Sequence, residues 1–219
     1  MTDRTADLDD YVRPHLNSSA LLVIDMQNDF ADDGPYPIAG TTAIVPGLRA
    51  LIDAYRRAGR PIVHVVRLYD GDDVDRVRRT AITQDDAPMV RPGAPGSQIL
   101  AGLLPPGTPP LEPNLLTAGN FQAVGPHESV MWKPRWSAFH RTELDAHLQR
   151  AVIDTVVVAG CNLPNCPRAT MFDASSRDYR VALATDATSG ITLHRLDDAR
   201  SIGVVPYTVA EITAVLGAD

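Results

Sequence analysis

The chain has 219 residues, of which 44% are hydrophobic and 21% are charged, a composition typical of a globular domain with a full core. Its formal net charge of −7 provides no basic surface, so we expect neither nucleic acid nor a membrane as a partner. Residues 1–7 are too acidic and polar for a secretory signal, and no apolar run is long enough to span a bilayer. The two cysteines, Cys161 and Cys166, lie close together at one turn. A disulfide there would add little stability, so we expect a reducing, cytoplasmic setting.

Strands and helices alternate along most of the chain. The apolar, β-branched run at 20–24 predicts a buried strand, and apolar residues at helical spacing predict a helix over 45–57. The same reading predicts further strands over 61–66, 130–134, 155–159 and 180–185, and further helices over 142–151, 165–177 and 209–216. This alternation predicts a single doubly wound α/β domain over residues 1–219, with a mainly parallel, Rossmann-like sheet and helices on both faces. Ligands of such sheets bind beyond the carboxyl ends of the strands.

Residues 68–122 interrupt the alternation. This segment is rich in proline and glycine, and its one predicted helix covers 97–104. Long irregular segments inside a compact domain are usually functional or disordered. Because one sheet is predicted on both sides of it, we interpret this excursion as a lid or a subunit contact rather than a linker.

Reactive side chains follow three predicted strands. Asp25 comes directly after the strand at 20–24, Lys133 lies at the end of the next apolar strand after the excursion, and Cys166 begins the helix after the strand at 155–159. Taken singly, each residue more often has a structural role: a turn cap, a surface lysine, a small buried hydrophobe. Together, a base, a cation and a thiol supply what nucleophilic attack on a carbonyl requires. The free N–H groups and dipole of a helix N-terminus also favour a thiolate at Cys166.

Three motifs in this order resemble the isochorismatase-like cysteine hydrolases, a superfamily that includes nicotinamidases, N-carbamoylsarcosine amidohydrolases and biuret hydrolases. The motifs are LVIDMQNDF at 22–30, KPRWSAF at 133–139, and GCNLPNC at 160–166 followed by Asp173-Ala174. The resemblance spans about 20–217 and is weakest over 68–122. It implies the isochorismatase-like hydrolase fold. We further expect a small-molecule substrate and a homo-oligomer, either a dimer or a tetramer.

The resemblance also implies the roles of individual residues. Cys166 would be the nucleophile, Asp25 the proton acceptor and later donor, and Lys133 the charge that orients both. The family has a cis peptide at the position of the Cys161–Asn162 bond. The backbone N–H groups of Asn162 and Cys166 would form the oxyanion hole.

We expect no cofactor and no metal site. Nicotinamidases resemble one another in an Asp-x-His-x-x-x-His metal motif after the second strand, whereas this chain has RLYDGDD at 67–73, without a histidine. The turn before the cysteine also departs from the family pattern, with Leu163-Pro164-Asn165 and Pro167-Arg168, so the loop beside the thiol is reshaped. We expect substrate contacts from aromatic and arginine side chains near the strand ends: Phe30, Arg67, Tyr69, Trp132, Phe139 and Arg168. Either Arg67 or Arg168 could hold a substrate carboxylate.

These observations predict a cysteine hydrolase that cleaves a C–N bond of an amide, lactam or ureido group through a thioester intermediate. One alternative is a catalytically idle member of the same fold that serves in binding or assembly. A second is a vinyl-ether hydrolase of the isochorismate type, although members with that activity lack the cysteine. A third is a thiol–disulfide switch between Cys161 and Cys166, which is disfavoured because we expect Cys161 to point away within the turn.

Overall fold

The structure, a computed structural model, describes residues 8–217. Its strands are β1 (Ser19–Ile24), β2 (Ile62–Val66), β3 (Gln122–Gly125), β4 (Glu128–Trp132), β5 (Thr155–Gly160), β6 (Arg180–Thr188) and β7 (Val204–Tyr207). They form one sheet in the order β3-β4-β2-β1-β5-β6-β7, in which every neighbouring pair is parallel except β3 with β4. The predicted α/β fold with a doubly wound, mainly parallel sheet is confirmed.

Helices cover both faces of this sheet. They are α1 (Val45–Arg57), α2 (Arg76–Thr83), α3 (Pro113–Thr117), α4 (Leu144–Arg150), α5 (Cys166–Ser175), α6 (Leu193–Arg200) and α7 (Val209–Leu216). Leucines and other apolar residues of α1 and α7 belong to the core on one face, and those of α4, α5 and α6 belong to the core on the other. Within residues 8–217, no helix has both the length and the apolar character needed to cross a bilayer. Residues 1–7, which bear on the expected lack of a secretory signal, lie outside the described part.

The two central strands bring the functional loops together. All six residues of β1 and all six of β5 are buried, because both faces of the sheet are covered there. From β1 the chain builds β2 and β4 on one side, and later β5, β6 and β7 on the other. Such a change of direction leaves a crevice at the carboxyl ends of the strands. The residues that follow β1, β2, β4 and β5 therefore meet at one place.

The helix predicted over 97–104 is wrong. The structure has a short 3-10 helix, Pro95–Ser97, followed by an extended segment that pairs with the loop after β1. The Asn28 N–H donates to the Gln98 carbonyl at 2.9 Å, and the Leu100 N–H donates to the Met26 carbonyl at 2.9 Å. These long-range hydrogen bonds use backbone groups that a local helix would otherwise have satisfied. The excursion is thereby attached to the loop that carries Asp25.

Candidate active site

A tight turn connects β5 with α5. Gly160 ends β5 with a φ of 113°, and a Cβ atom at this position would lie 2.2 Å from the Ile24 carbonyl oxygen. A residue without a side chain is therefore needed for β5 to approach the end of β1 this closely. The following Cys161–Asn162 peptide is cis, and α5 begins at Cys166.

A buried ion pair lies at the ends of β1 and β4. Asp25 is 3% exposed and Lys133 is completely buried. The Nζ atom of Lys133 donates to Oδ2 of Asp25 at 2.8 Å. The other oxygen, Oδ1, is also buried and has no hydrogen-bond partner among residues 8–217. One carboxylate oxygen is thus fixed by the lysine, and the other is free to accept a proton.

The thiol of Cys166 is buried close to this ion pair. Cys166 is 5% exposed. Burial raises the pKa of the thiol above its ordinary value and the Asp25 carboxylate raises it further, whereas Lys133 and Arg67 oppose the increase. Desolvation and the Asp25 carboxylate therefore oppose the expected preference of the helix N-terminus for a thiolate, and they favour the neutral thiol.

Two backbone N–H groups near the thiol are available to a ligand. Neither the Asn162 nor the Cys166 N–H donates a hydrogen bond within the described part of the chain. The neighbouring Leu163 N–H, by contrast, donates to the Ser189 carbonyl at 2.8 Å. Free N–H groups beside a nucleophile can bind the negative oxygen of a tetrahedral intermediate. These are the two donors that the sequence analysis expected there.

Arg67 follows β2 and occupies the centre of the charged cluster. Its side chain is 1% exposed, its Nη2 atom donates to Cys166 Sγ at 3.5 Å, and its Nη1 atom lies 2.7 Å from Asp75 Oδ2. Its Nε atom is 3.9 Å from Asp25 Oδ2. Burial disfavours the charge, but the negative groups around it hold the pKa of Arg67 above its ordinary value. The guanidinium is therefore a permanent cation that already has carboxylate partners.

The side chain of Gln27 fixes the backbone of Arg67. Gln27 Oε1 accepts from the Arg67 N–H at 2.7 Å, and Gln27 Nε2 donates to the Arg67 carbonyl at 2.8 Å. The same Nε2 atom donates to the Ser97 carbonyl in the excursion at 2.7 Å. One buried amide thus links the loop after β1, the end of β2 and the excursion.

A small cavity of about 20 Å³ lies between these groups, which is room for about one water molecule. Several of the side chains around it were predicted from the sequence. Its lining residues are Asp25, Phe30, Ile38, Arg67, Tyr69, Arg78, Trp136, Cys161, Asn162, Asn165 and Cys166. Cys161, which was expected to point away, lines the cavity as well, and its thiol donates to the Asp25 carbonyl at 3.2 Å. Both cysteines are free thiols.

Three of the expected substrate contacts do not line this cavity. Trp132 is turned toward the excursion, and its Nε1 donates to the Leu68 carbonyl at 3.3 Å. Phe139 packs in the core, with its ring centroid 5.8 Å from that of Tyr179. Arg168 is exposed and lies over the Phe172 ring in an outer groove. These side chains lie near the expected strand and helix ends, but they face away from the thiol.

Several residues of the site were not predicted from the sequence, among them the following three. Trp136 and Arg78 line the cavity, and Asp75 holds Arg67. Trp136 stands three residues after Lys133 in the KPRWSAF motif, so its position in the motif was a usable signal. Arg78 and Asp75 lie in the excursion, where no periodic pattern indicates which side chains point inward.

No metal-binding cluster is found in residues 8–217: no three or more His, Cys, Asp or Glu side chains are grouped closely enough to hold an ion. Of the aspartates after β2, Asp73 is paired with Arg135 and Arg141. Asp75 is paired with Arg67 at 2.7 Å. Those two carboxylates are therefore engaged by arginines.

The charges around Cys166 predict how variants change its alkylation by iodoacetamide. Thiolate is the reactive form, so the wild-type rate should still be rising with pH above pH 8. Asp25→Asn removes a negative neighbour and should raise the rate at pH 7 roughly tenfold, whereas Lys133→Ala should lower it by a similar factor. Fragment-ion mass spectrometry distinguishes label on Cys166 from label on Cys161. Three superimposable pH profiles would mean that these side chains do not share one electrostatic site.

Comparisons with known proteins identify the family. A family model described as the isochorismatase domain matches residues 19–211. A probable inactive nicotinamidase of Arabidopsis thaliana is 34% identical over 202 residues, which cover 89% of this chain and 94% of the relative. A ureidoacrylate amidohydrolase of Cronobacter sakazakii is 28% identical, with 78% of this chain and 74% of the relative covered.

A solved structure gives the same result. The crystal structure of an isochorismatase family protein from Desulfovibrio vulgaris superimposes with a TM-score of 0.76 and 33% identity. The match covers 91% of this chain and 98% of that one. The family model spans the sheet from β1 to α7 and every residue of the cavity. On the strength of this match and of these relatives, the chain belongs to the isochorismatase family.

Proposed function

We propose that this protein is a cysteine hydrolase that cleaves a non-peptide C–N bond of a small molecule through a thioester on Cys166. The observation that carries the proposal is a buried thiol beside a buried carboxylate that has one oxygen fixed by Lys133 and the other unpartnered. Nucleophilic catalysis requires a nucleophile and an adjacent general base that can accept its proton. Two backbone N–H groups without hydrogen-bond partners would form the oxyanion hole.

The first step forms the C–S bond. Asp25 accepts the proton of the Cys166 thiol, and the sulfur attacks the carbonyl carbon of the substrate. The C=O electron pair moves onto the oxygen, which accepts hydrogen bonds from the Asn162 and Cys166 N–H groups. Each such donor is worth roughly 3 kcal/mol of transition-state stabilisation in related chemistry.

The second step breaks the C–N bond. Asp25, now protonated, donates its proton to the leaving nitrogen, so that ammonia or an amine departs and a thioester remains. Water then attacks the thioester carbonyl while Asp25 takes one of its protons. The sulfur leaves, recovers that proton from Asp25, and the acid is released. The cycle consumes one water and restores both side chains.

Lys133 and Arg67 favour these steps without exchanging protons. In the first step the negative charge of Asp25 is lost as it accepts the thiol proton, and negative charge develops on the carbonyl oxygen of the substrate. Two fixed cations in a desolvated site hold this charge distribution without reorganisation. Arg67 also lies against the sulfur and would stabilise it as the leaving group of the last step.

An amide or ureido substrate also fits the remaining polar atoms. Asn162 lines the cavity, and its Oδ1 atom is a buried acceptor without a partner among residues 8–217. A substrate N–H group can supply the missing donor, whereas a vinyl ether cannot. The name of the Cronobacter sakazakii relative, an amidohydrolase, supports the same bond class.

A release assay tests the proposal. Wild type and Cys166→Ala are incubated with a panel of small amides, lactams and ureido compounds, and released ammonia or amine is measured. We expect release from at least one compound by the wild type alone. Because one relative is named a probable inactive nicotinamidase, the idle alternative is tested in the same assay. Equal release by both proteins, or no release of ammonia or amine from any compound of the panel, would reject the proposal.

A further inference from the structure

We propose that the substrate carries a carboxylate, and that Arg78 binds it at the cavity. The inference rests on the proposed function and specifies its substrate class. Arg78 lies on α2, is partly buried and lines the same cavity as Cys166. Among residues 8–217, no hydrogen bond, ion pair or aromatic ring engages its guanidinium. An arginine that lines a cavity and has no partner for its guanidinium is suited to binding a carboxylate with two hydrogen bonds.

The other cations of the site are already engaged. Lys133 is bound to Asp25 at 2.8 Å, and Arg67 is bound to Asp75 at 2.7 Å. Arg67 was expected as a carboxylate ligand, but its position between two carboxylates makes it part of the protein's own charge network. Recruiting it would leave a buried carboxylate without its cation, which is costly. Arg78 also lines the cavity, and it can bind a substrate carboxylate without leaving a buried carboxylate of the protein unpaired.

The charge balance favours a monoanion. Arg67, Lys133 and Arg78 are cations, Asp25 and Asp75 are carboxylates, and the surroundings of Cys166 favour its neutral thiol. The cluster therefore has an excess of one positive charge within a chain whose formal net charge is −7. A carboxylate neutralises this excess, whereas a phosphate dianion would overcompensate it. A neutral amide would leave the excess charge without a counterion.

The position of Arg78 is determined by an anchor just before α2. Asp75 is 1% exposed, and it pairs with Arg67 and accepts a hydrogen bond from the Tyr69 hydroxyl at 3.0 Å. The Arg78 N–H donates to the Asp75 carbonyl at 2.8 Å. Although no residue of α2 is fully buried, Ile82 packs against the core, and together with the Asp75 anchor it holds the helix over the site. Substrate recognition and the charge network around the thiol are thus connected through Asp75.

Two alkylating reagents of similar size test the proposal without requiring turnover. Iodoacetamide is neutral and iodoacetate is an anion, and each transfers its carbon to the Cys166 sulfur with loss of iodide. Their rates are compared for wild type, Arg78→Gln, Arg78→Lys and a control, Arg76→Gln, which removes an exposed arginine from the same helix. Arg78→Gln should slow iodoacetate about tenfold or more and leave iodoacetamide within about twofold. Arg78→Lys should recover part of the loss.

The control separates local binding from general charge effects. Arg76→Gln makes the same change in net charge, so it should alter the ratio of the two rates much less than Arg78→Gln. Equal changes in both variants, or no change in either, would overturn the proposal. Failure of the proposed hydrolysis is recognised separately, because it would appear as a lack of product release in a protein that retains this selectivity.

Discussion

Replacing Cys166 by alanine is expected to lower kcat/KM for a cleaved C–N substrate by about 10⁴-fold or more, because no other group at this position can form the thioester. The fold should persist. Cys166 is buried at the first turn of α5, where alanine fits sterically and removes only the sulfur. The free energy of unfolding should change by about 1 kcal/mol. Initial rates on the best substrate and urea denaturation followed by circular dichroism measure the two effects.

Trapping the intermediate provides the matching control. Rapid acid quenching of the wild type with substrate should yield a mass increase equal to the acyl group, located at Cys166 by fragmentation. Cys161→Ala should still show this adduct, because its thiol is directed to the Asp25 carbonyl rather than to the reacting carbon. A Cys166→Ala protein that retains a substantial fraction of the wild-type rate would contradict covalent catalysis.

The central part of the fold could be predicted because its signals are local. The run at 20–24 and the run at 155–159 are apolar and β-branched, as strands buried on both faces require, and both are central strands. The carboxyl ends of parallel strands all lie at the same end of the sheet. Three residues follow the ends of such strands, and the sequence therefore predicted that their side chains lie close together: Asp25, Lys133 and Cys166.

Residues whose positions depend on tertiary contacts could not be predicted. The edge strand β3 has only four residues and pairs antiparallel with β4. Its sequence contains no apolar run, and it has no preceding crossover helix from which the strand could be predicted. Gly96 lies in the short 3-10 helix and packs on the Asp29 carboxylate, which leaves no room for a Cβ atom, and the chain after this helix is extended where it pairs with the loop after β1. Local propensity does not record such a contact, which is why a helix was predicted there.

Charged residues illustrate the same limit at the site. Arg67 was a candidate for substrate binding from the sequence, because a guanidinium matches a carboxylate bidentately. Its function as part of the charge network depends on Asp75, eight residues away in an irregular segment. Ion pairs of this kind are set by the path of the loop, and a single sequence contains no periodic signal for them.

The Asp25–Lys133 pair predicts the largest effects on stability. Removing either partner leaves a buried charge without compensation, which costs about 3–5 kcal/mol. Lys133→Met should be the milder variant, since Arg67 Nε remains 3.9 Å from Asp25. Asp25→Asn removes the anion that both cations face. In each variant hydrolysis should be lost, because the proton acceptor is either absent or no longer oriented.

The double variant Asp25→Asn/Lys133→Met distinguishes a stability effect from a catalytic one. With both charges removed, neither is left unpaired, so its free energy of unfolding should exceed the value that adding the two single losses predicts. Its activity should remain absent, because restored stability does not restore a base. Arg200→Met, which breaks an exposed pair with Asp197, serves as the control and should change stability little. Strictly additive losses in urea denaturation, or recovery of hydrolysis in the double variant, would mean that Asp25 and Lys133 do not act as one unit.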